Sequence, residues 1–155
     1  VILLGWSLGA GTSIAAGAEL SRRGRAPLAV VAEAPYRMPW TPARSVLRLA
    51  GLPHTINLPI AMWLLGLRLG EGPTWPRFDR AQLASELTCP LLLLHGQADD
   101  ICPEQDSRDI ADAAPNAQLT IIPRAGHNNL WTEEPYKTES REAVMAFIRS
   151  QTARV

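Results

Sequence analysis

Short apolar runs alternate along this chain with longer stretches whose apolar residues recur at helical spacing. The runs are short enough for strands, and they lie at residues 1–4, 28–34, 90–95 and 118–122. Helical spacing follows each run, at residues 8–23, 83–87, 106–114 and 135–153. Strands that alternate with helices predict right-handed parallel crossovers, and hence an α/β fold with one parallel sheet.

The pattern changes between residues 36 and 80. Prolines at 39, 42, 53, 59, 73 and 76 separate short helical pieces at 43–49 and 60–69, and three of the five tryptophans lie here. We interpret this 36–80 segment as a helical cap inserted into a single domain of residues 1–155. The alternative is a crossover with long surface loops, whose tryptophans fill the core.

The stretch VILLGWSLGAG at residues 1–11 combines a strand, a serine between glycines and the start of a helix. This pattern predicts a nucleophile elbow, a sharp turn that exposes the Ser7 hydroxyl at the end of a strand. We expect a side chain at Gly5 or Gly9 to crowd the neighbouring strand or helix. The helix that opens at Leu8 directs its first amides towards the place where an oxyanion would form.

A serine nucleophile needs a base, and the base needs a group that holds its tautomer. His127 follows the last strand in Ala-Gly-His-Asn-Asn, where Gly126 is expected to allow a close approach. Asp99 follows the preceding strand in His-Gly-Gln-Ala-Asp. Because parallel strands end at the same edge of a sheet, Ser7, Asp99 and His127 are expected to converge.

The segments GWSLGAG, PLLLLHGQADDICP and AGHNN resemble the elbow, acid loop and histidine loop of α/β-hydrolases, in the same order. The chain resembles the C-terminal half to two-thirds of that fold, with about four strands and flanking helices. A chain that begins inside a strand is expected to be a fragment, with its first strand an exposed edge. The segments EAPY and FDRAQLASELTCPLLLLHG are similar to BEM46-like and ABHD-like serine hydrolases.

The resemblance implies that Ser7 is the nucleophile, Asp99 the acid and His127 the general base. It also implies that the Leu8 amide forms half of the oxyanion hole. The other half normally comes from a loop after an early strand, which would precede residue 1. A missing donor typically costs about 100- to 1000-fold in rate, so the fragment is expected to be nearly inert.

Several other polar residues have competing interpretations. Asp100 and Glu33 are alternatives for the acid, because Asp100 adjoins Asp99 and Glu33 ends the second strand. His95 ends a strand and is interpreted as a packed structural histidine. His54 lies among prolines and is expected to be solvated, whereas Cys102 is expected to pack in the core.

Composition narrows the class of ligand. Fifteen Lys and Arg balance fifteen Asp and Glu, so no global charge favours nucleic acid or an anionic membrane. No cluster has metal-ligand spacing, and no cofactor is expected. Cys89 and Cys102 lack motif spacing and are expected to be free thiols in a reducing compartment such as the cytoplasm. No run approaches the roughly 18 apolar residues that cross a bilayer.

We therefore expect a serine hydrolase that cleaves an ester, thioester or amide of a small, neutral or apolar acyl substrate through an acyl-enzyme on Ser7. Two alternatives remain open. A peptidase of the prolyl-oligopeptidase type also carries Gly-Trp-Ser at its elbow, and a hydrolase-fold fragment can serve as a non-catalytic scaffold.

Overall fold

A computed structural model describes residues 1–153 and contains one parallel four-stranded sheet. Its strands lie in the order β1 (Ile2–Trp6), β2 (Ala29–Glu33), β3 (Leu91–Gly96) and β4 (Ala117–Ile122). Each strand pairs in parallel with the next one along the chain. The predicted α/β class and the four predicted strands are confirmed.

Six helices connect and flank the strands. They are α1 (Leu8–Arg22), α2 (Trp40–Leu49), α3 (Asn57–Leu69), α4 (Arg80–Ser85), α5 (Glu104–Ala113) and α6 (Tyr136–Thr152). The helices α2, α3 and α4 each begin three residues before their predicted starts at 43, 60 and 83. For α4, Asp79 explains the shift, because its carboxylate accepts hydrogen bonds from the amides of Ala81 and Gln82 and so caps the helix there.

The central strands are buried on both faces, as predicted for β2. Alternate residues of β2 and β3, such as Val30 and Leu93, pack with α1, α4 and α5 on one face of the sheet. The residues between them, such as Val31 and Leu92, pack with α6 on the other face. The period-two alternation of a strand thus divides the core into two layers.

Among the described residues, β1 pairs only with β2 and forms one edge of the sheet. Its side chains are correspondingly exposed, with Leu4 at 56% and Trp6 at 48%. The predicted exposed edge is therefore present.

The 36–80 segment forms α2, α3 and a short 3-10 helix at Pro76–Phe78. It has a small apolar cluster of its own, centred on Leu58, Met62 and Trp75. The indole Nε1 of Trp75 donates a hydrogen bond to the carbonyl of Met62 at 3.1 Å. Trp75 therefore packs and forms a hydrogen bond within the 36–80 segment. That this segment acts as a cap stays a prediction.

The two glycines of the elbow differ in what surrounds them. A Cβ at Gly5 would lie 2.1 Å from the carbonyl oxygen of Gly9, which leaves no room for a side chain. A Cβ at Gly9 would have no heavy atom within 4 Å. The expectation of crowding holds at Gly5 and is wrong at Gly9, because position 9 faces open space.

This difference predicts opposite effects of one substitution. Gly5→Ala should destabilise the fold by about 3 kcal/mol or more, because helix backbone cannot move aside as a flexible side chain can. Gly9→Ala, the matched control, should be neutral or stabilise by up to about 1 kcal/mol, since alanine favours the helix. Urea unfolding of both variants measures the difference, and equal free energies of unfolding would contradict the predicted clash.

Candidate active site

Ser7 lies at the junction of β1 and α1, where the backbone makes the sharp turn that the glycine-flanked motif predicts. Its φ of 52° and ψ of −111° place a non-glycine residue in a strained region. The Ser7 amide donates to the carbonyl of Glu33 at 2.8 Å, which ties the turn to the end of β2. The adjacent strand thus helps to hold the strained backbone.

The imidazole of His127 lies between Ser7 and Asp99. Its Nε2 is 3.0 Å from the Ser7 Oγ, and its Nδ1 is 2.7 Å from the Asp99 Oδ2. Because a carboxylate only accepts, Nδ1 carries the hydrogen and Nε2 is free to accept from the serine hydroxyl. The side chains of His127 and Asp99 are 7% and 0% exposed, so the bond between them is shielded from water.

The second oxygen of Asp99 fixes the orientation of the carboxylate. Asp99 Oδ1 accepts from the amides of Ile101 at 2.9 Å and Cys102 at 2.7 Å. Asp100 is exposed, and its backbone carbonyl accepts from Arg48 at 3.4 Å. Of the two neighbouring aspartates, Asp99 is therefore the one that the structure brings to the imidazole.

Glu33, the other alternative for the acid, forms its hydrogen bond with Trp131 and not with His127. Its Oε2 accepts a hydrogen bond from the indole of Trp131, and its Oε1 has no partner within the described residues. Burial raises the pKa of this carboxyl, and the Trp131 bond lowers it by less. The structure therefore places Glu33 beside the site without a hydrogen bond to His127.

His95 is fully buried, as predicted for a packed histidine. Its Nε2 lies 2.8 Å from the carbonyl oxygen of Cys102, and its Nδ1 lies 2.7 Å from the Ser107 Oγ. The carbonyl can only accept, so Nε2 carries the hydrogen and Nδ1 accepts from the serine. Burial lowers the pKa of His95 and favours this neutral form. Nε2 is also 3.5 Å from the Asp99 Oδ2, so His95 supports the acid loop.

Trp6 also contacts the candidate active site, and the sequence did not predict this contact. Its indole Nε1 donates to the carbonyl of His127 at 3.1 Å, and the two ring centroids are 5.2 Å apart. The contact joins positions 121 residues apart in the sequence. Nothing local to Gly-Trp-Ser indicates it, because the strand order alone brings the two loops together.

The close approach near the histidine loop occurs at a different glycine from the one expected. A Cβ at Gly126 would be 3.8 Å from its nearest neighbour, which is ordinary contact. A Cβ at Gly96 would lie 2.4 Å from the carbonyl oxygen of Ala125. The expectation for Gly126 is therefore wrong. Gly96, at the end of β3, is where the acid and histidine loops come together.

Cys102 is buried beside the same groups, and burial raises its pKa well above the ordinary range. Potential ligand atoms of Asp99, Cys102 and His127 lie within 4.8 Å of one another. This convergence was not indicated by the sequence spacing. A metal at this point would compete with the hydrogen bonds of Asp99 and would require a thiolate, which burial disfavours. The donor set therefore fits a hydrogen-bonded site better than a metal site.

His54 keeps partial exposure to solvent, as expected for a surface side chain. Its Nδ1 also lies 3.3 Å from the carbonyl oxygen of Leu52 in the same loop.

A cavity of about 470 Å³ opens beside His127. Its lining is mainly apolar and aromatic, with Glu33 as the acidic member; it includes Trp6, Glu33, His127, Asn128, Leu130, Trp131 and Thr132. A space of this size and character can hold a small organic group next to His127.

Two comparisons of sequence bear on the class of protein. Residues 79–135 match the family profile described as "Serine aminopeptidase, S33". Over 75 residues, the chain is 33% identical to a protein of Pseudomonas syringae pv. syringae (strain B728a) named as a carbamate hydrolase, RutD. That match covers 48% of this chain and 27% of the relative's length, so the chain spans only part of this relative.

Solved structures establish the fold. The esterase domain of a Rhodothermus marinus protein covers 96% of this chain with a TM-score of 0.64 and 21% identity, and 59% of that chain is matched. A Paleococcus ferrophilus monoacylglycerol lipase covers 97% with a TM-score of 0.64 and 20% identity, and 68% of its length is matched. An acetyl xylan esterase from Paenibacillus sp. R4 covers 96% with a TM-score of 0.67 and 22% identity, and 44% of that chain is matched. The chain has the α/β-hydrolase fold.

The neutral state of His95 predicts how stability depends on pH. The pKa of His95 is lower in the folded chain than in the unfolded chain, where it is about 6.5. As the pH falls, the unfolded chain therefore takes up a proton on this residue before the folded chain does. Its contribution to stability is therefore complete above about pH 6.5 and is lost as pH falls towards the folded pKa. Thermal unfolding of His95→Gln should show a smaller loss of Tm between pH 7 and 5 than the unsubstituted protein. Parallel losses in both proteins would contradict a buried neutral His95.

Proposed function

We propose that this chain carries the catalytic centre of a serine hydrolase that cleaves carboxylic esters through an acyl-enzyme on Ser7. The observation that carries the proposal is the continuous hydrogen-bond chain from Ser7 through His127 to Asp99, with distances of 3.0 and 2.7 Å. Serine becomes a nucleophile only when a base takes its proton, and this arrangement supplies that base.

In the first half of the reaction, the Ser7 Oγ attacks the ester carbonyl while its proton passes to His127 Nε2. The tetrahedral intermediate then collapses, the bond to the alcohol oxygen breaks, and the imidazolium gives its proton to that oxygen. Asp99 stabilises the imidazolium through the Nδ1 hydrogen bond without taking the proton. Water repeats the same sequence on the acyl-enzyme, which releases the acid and restores Ser7.

The start of α1 supplies an electrostatic contribution to this reaction. The Leu8 amide follows Ser7 directly and belongs to the first turn, whose N–H groups have no acceptors within the helix. We propose that it donates to the oxyanion as one half of the oxyanion hole. The helix dipole adds partial positive charge at the same point.

The cavity beside His127 favours an apolar or small neutral acyl group, because its walls are mainly Trp6, Leu130 and Trp131. The solved esterases and lipase that share the fold support ester cleavage as the reaction class. Membership of the BEM46-like and ABHD-like groups stays a prediction.

Peptide cleavage is the second candidate, and the profile match over residues 79–135 favours it specifically. The same triad cleaves both bonds, so substrate preference decides between them. A panel of p-nitrophenyl esters and aminoacyl p-nitroanilides separates the two. We expect faster turnover of the esters, and faster turnover of an aminoacyl anilide would assign the peptidase function.

An active-site label tests the nucleophile. A fluorophosphonate should modify Ser7 in the folded chain, slowly if only one oxyanion donor acts, and Ser7→Ala should remain unlabelled. Ser13→Ala, in the same helix, is the control and should label like the unsubstituted protein. Peptide mass spectrometry locates the adduct. Equal labelling of Ser7→Ala, or no adduct on Ser7, would contradict the proposed nucleophile.

The choice of acid gives a second test. Asp99→Asn should lower kcat for a p-nitrophenyl ester by about 10⁴-fold, because an amide favours the wrong tautomer of the base. Asp100→Asn, one residue away and exposed, should change kcat by less than about 3-fold. Steady-state kinetics of both variants make the comparison, and a reversed order would assign the acid to Asp100.

A further inference from the structure

Helix α3 and the residue before it carry apolar side chains that stay about half exposed or more on one face. One side is buried through Leu58, Met62 and Gly66. The opposite side presents what we call the α3 stripe: Ile56, Ile60, Trp63, Leu64 and Leu67. These five side chains are 70%, 53%, 49%, 55% and 52% exposed. They recur at helical spacing and so form one continuous apolar surface, larger than scattered exposed residues produce.

The sequence segment that carries the α3 stripe is basic, and exposed Asp100 lies beside Arg48. Residues 34–70 include no Asp or Glu, although the whole chain has equal numbers of acidic and basic residues. Arg44 and Arg48 on α2 and Arg68 on α3 are exposed, and the described residues place no carboxylate in ion-pair distance of them. The balanced total charge therefore conceals a local basic and apolar surface.

We propose that the α3 stripe, with Arg44, Arg48 and Arg68, docks on the surface of an anionic phospholipid bilayer. Exposed apolar side chains can enter the headgroup region of a membrane, where neighbouring arginines pair with anionic headgroups. The stripe enters the acyl boundary, and the guanidinium groups pair with lipid phosphates.

The geometry distinguishes lying on the membrane from crossing it. Thirteen residues form α3, which corresponds to a length of about 20 Å, against a hydrocarbon core of about 30 Å. Within residues 1–153, no helix is long and apolar enough to span a bilayer. A helix parallel to the surface is the orientation that buries the stripe and keeps Arg68 at the phosphates.

A second copy of the chain fits this surface less well. Symmetric pairing of two α3 stripes would place the flanking arginines of both copies in one interface, since a two-fold interface uses the same patch of each copy. Like charges across an interface oppose association, whereas lipid phosphates neutralise them. The charge therefore favours an anionic bilayer as the occupant.

The surface is connected to the candidate active site. The Arg48 guanidinium donates to the backbone carbonyl of Asp100, which adjoins Asp99 in the acid loop. Docking would thus place the acid loop close to the lipid surface. Membrane binding itself does not require catalysis, so it is tested independently of the proposed function.

Vesicle flotation tests the proposal with the whole chain. Vesicles of phosphatidylcholine with one quarter phosphatidylglycerol should bind the protein at least about 25-fold more strongly than pure phosphatidylcholine. Ile60→Gln/Leu64→Gln should weaken binding to the anionic vesicles by at least 10-fold. Met145→Gln, which alters a 42% exposed apolar residue on α6, is the control and should bind normally. Circular dichroism should show the same helix content in all of these proteins.

The arginines give a second, independent variant. Arg44→Gln/Arg68→Gln should lower binding to anionic vesicles by about 25-fold, from roughly 5-fold per arginine, and leave weak binding to phosphatidylcholine unchanged. Ser7→Ala should bind vesicles normally even though it cannot form an acyl-enzyme. Equal binding of both vesicle types, or normal binding by Ile60→Gln/Leu64→Gln, would overturn the proposal. A concentration-dependent dimer that Ile60→Gln/Leu64→Gln abolishes, without vesicle binding, would assign the surface to a second copy instead.

Discussion

The candidate site depends on His127, because this residue joins the elbow at the end of β1 to the acid loop after β3. Its imidazole faces Ser7 with one nitrogen and Asp99 with the other, and its backbone carbonyl accepts a hydrogen bond from Trp6. The elbow, the acid loop and the histidine loop follow three different strands. They meet only because the four strands are parallel and in sequential order, so that every strand ends at the same edge.

A second layer of hydrogen bonds holds the Asp99 carboxylate in place. Two backbone amides fix one oxygen of Asp99, and buried His95 holds the Cys102 carbonyl of the same loop. The close packing at Gly96 brings this loop against the histidine loop. A catalytic base needs its orientation fixed to within a fraction of an ångström, and these contacts are suited to provide that restraint.

The strands, the helices and the convergence of three loops could be predicted from the sequence, because each depends on local periodicity, on glycine and proline, or on the parallel arrangement itself. The contacts of Trp6 and the crowding at Gly96 could not be predicted from the sequence. Both depend on how two loops pack when they meet, and no local pattern encodes that distance. The wrong expectation of crowding at Gly9 has the same cause. A sequence motif shows where a glycine occurs, but it does not show which atoms surround that glycine in the fold.

The central claim is that Ser7 forms a covalent acyl-enzyme, and its direct measurement is the mass of the intermediate itself. The protein is mixed with p-nitrophenyl acetate, quenched in acid within the first turnover, digested and analysed by mass spectrometry. The account predicts one acetyl group, on the peptide that contains Ser7, which disappears when the quench is delayed beyond substrate exhaustion. Release of p-nitrophenol with Ser7 unmodified at every time would contradict the acyl-enzyme and leave the hydrogen-bond chain without its proposed chemistry.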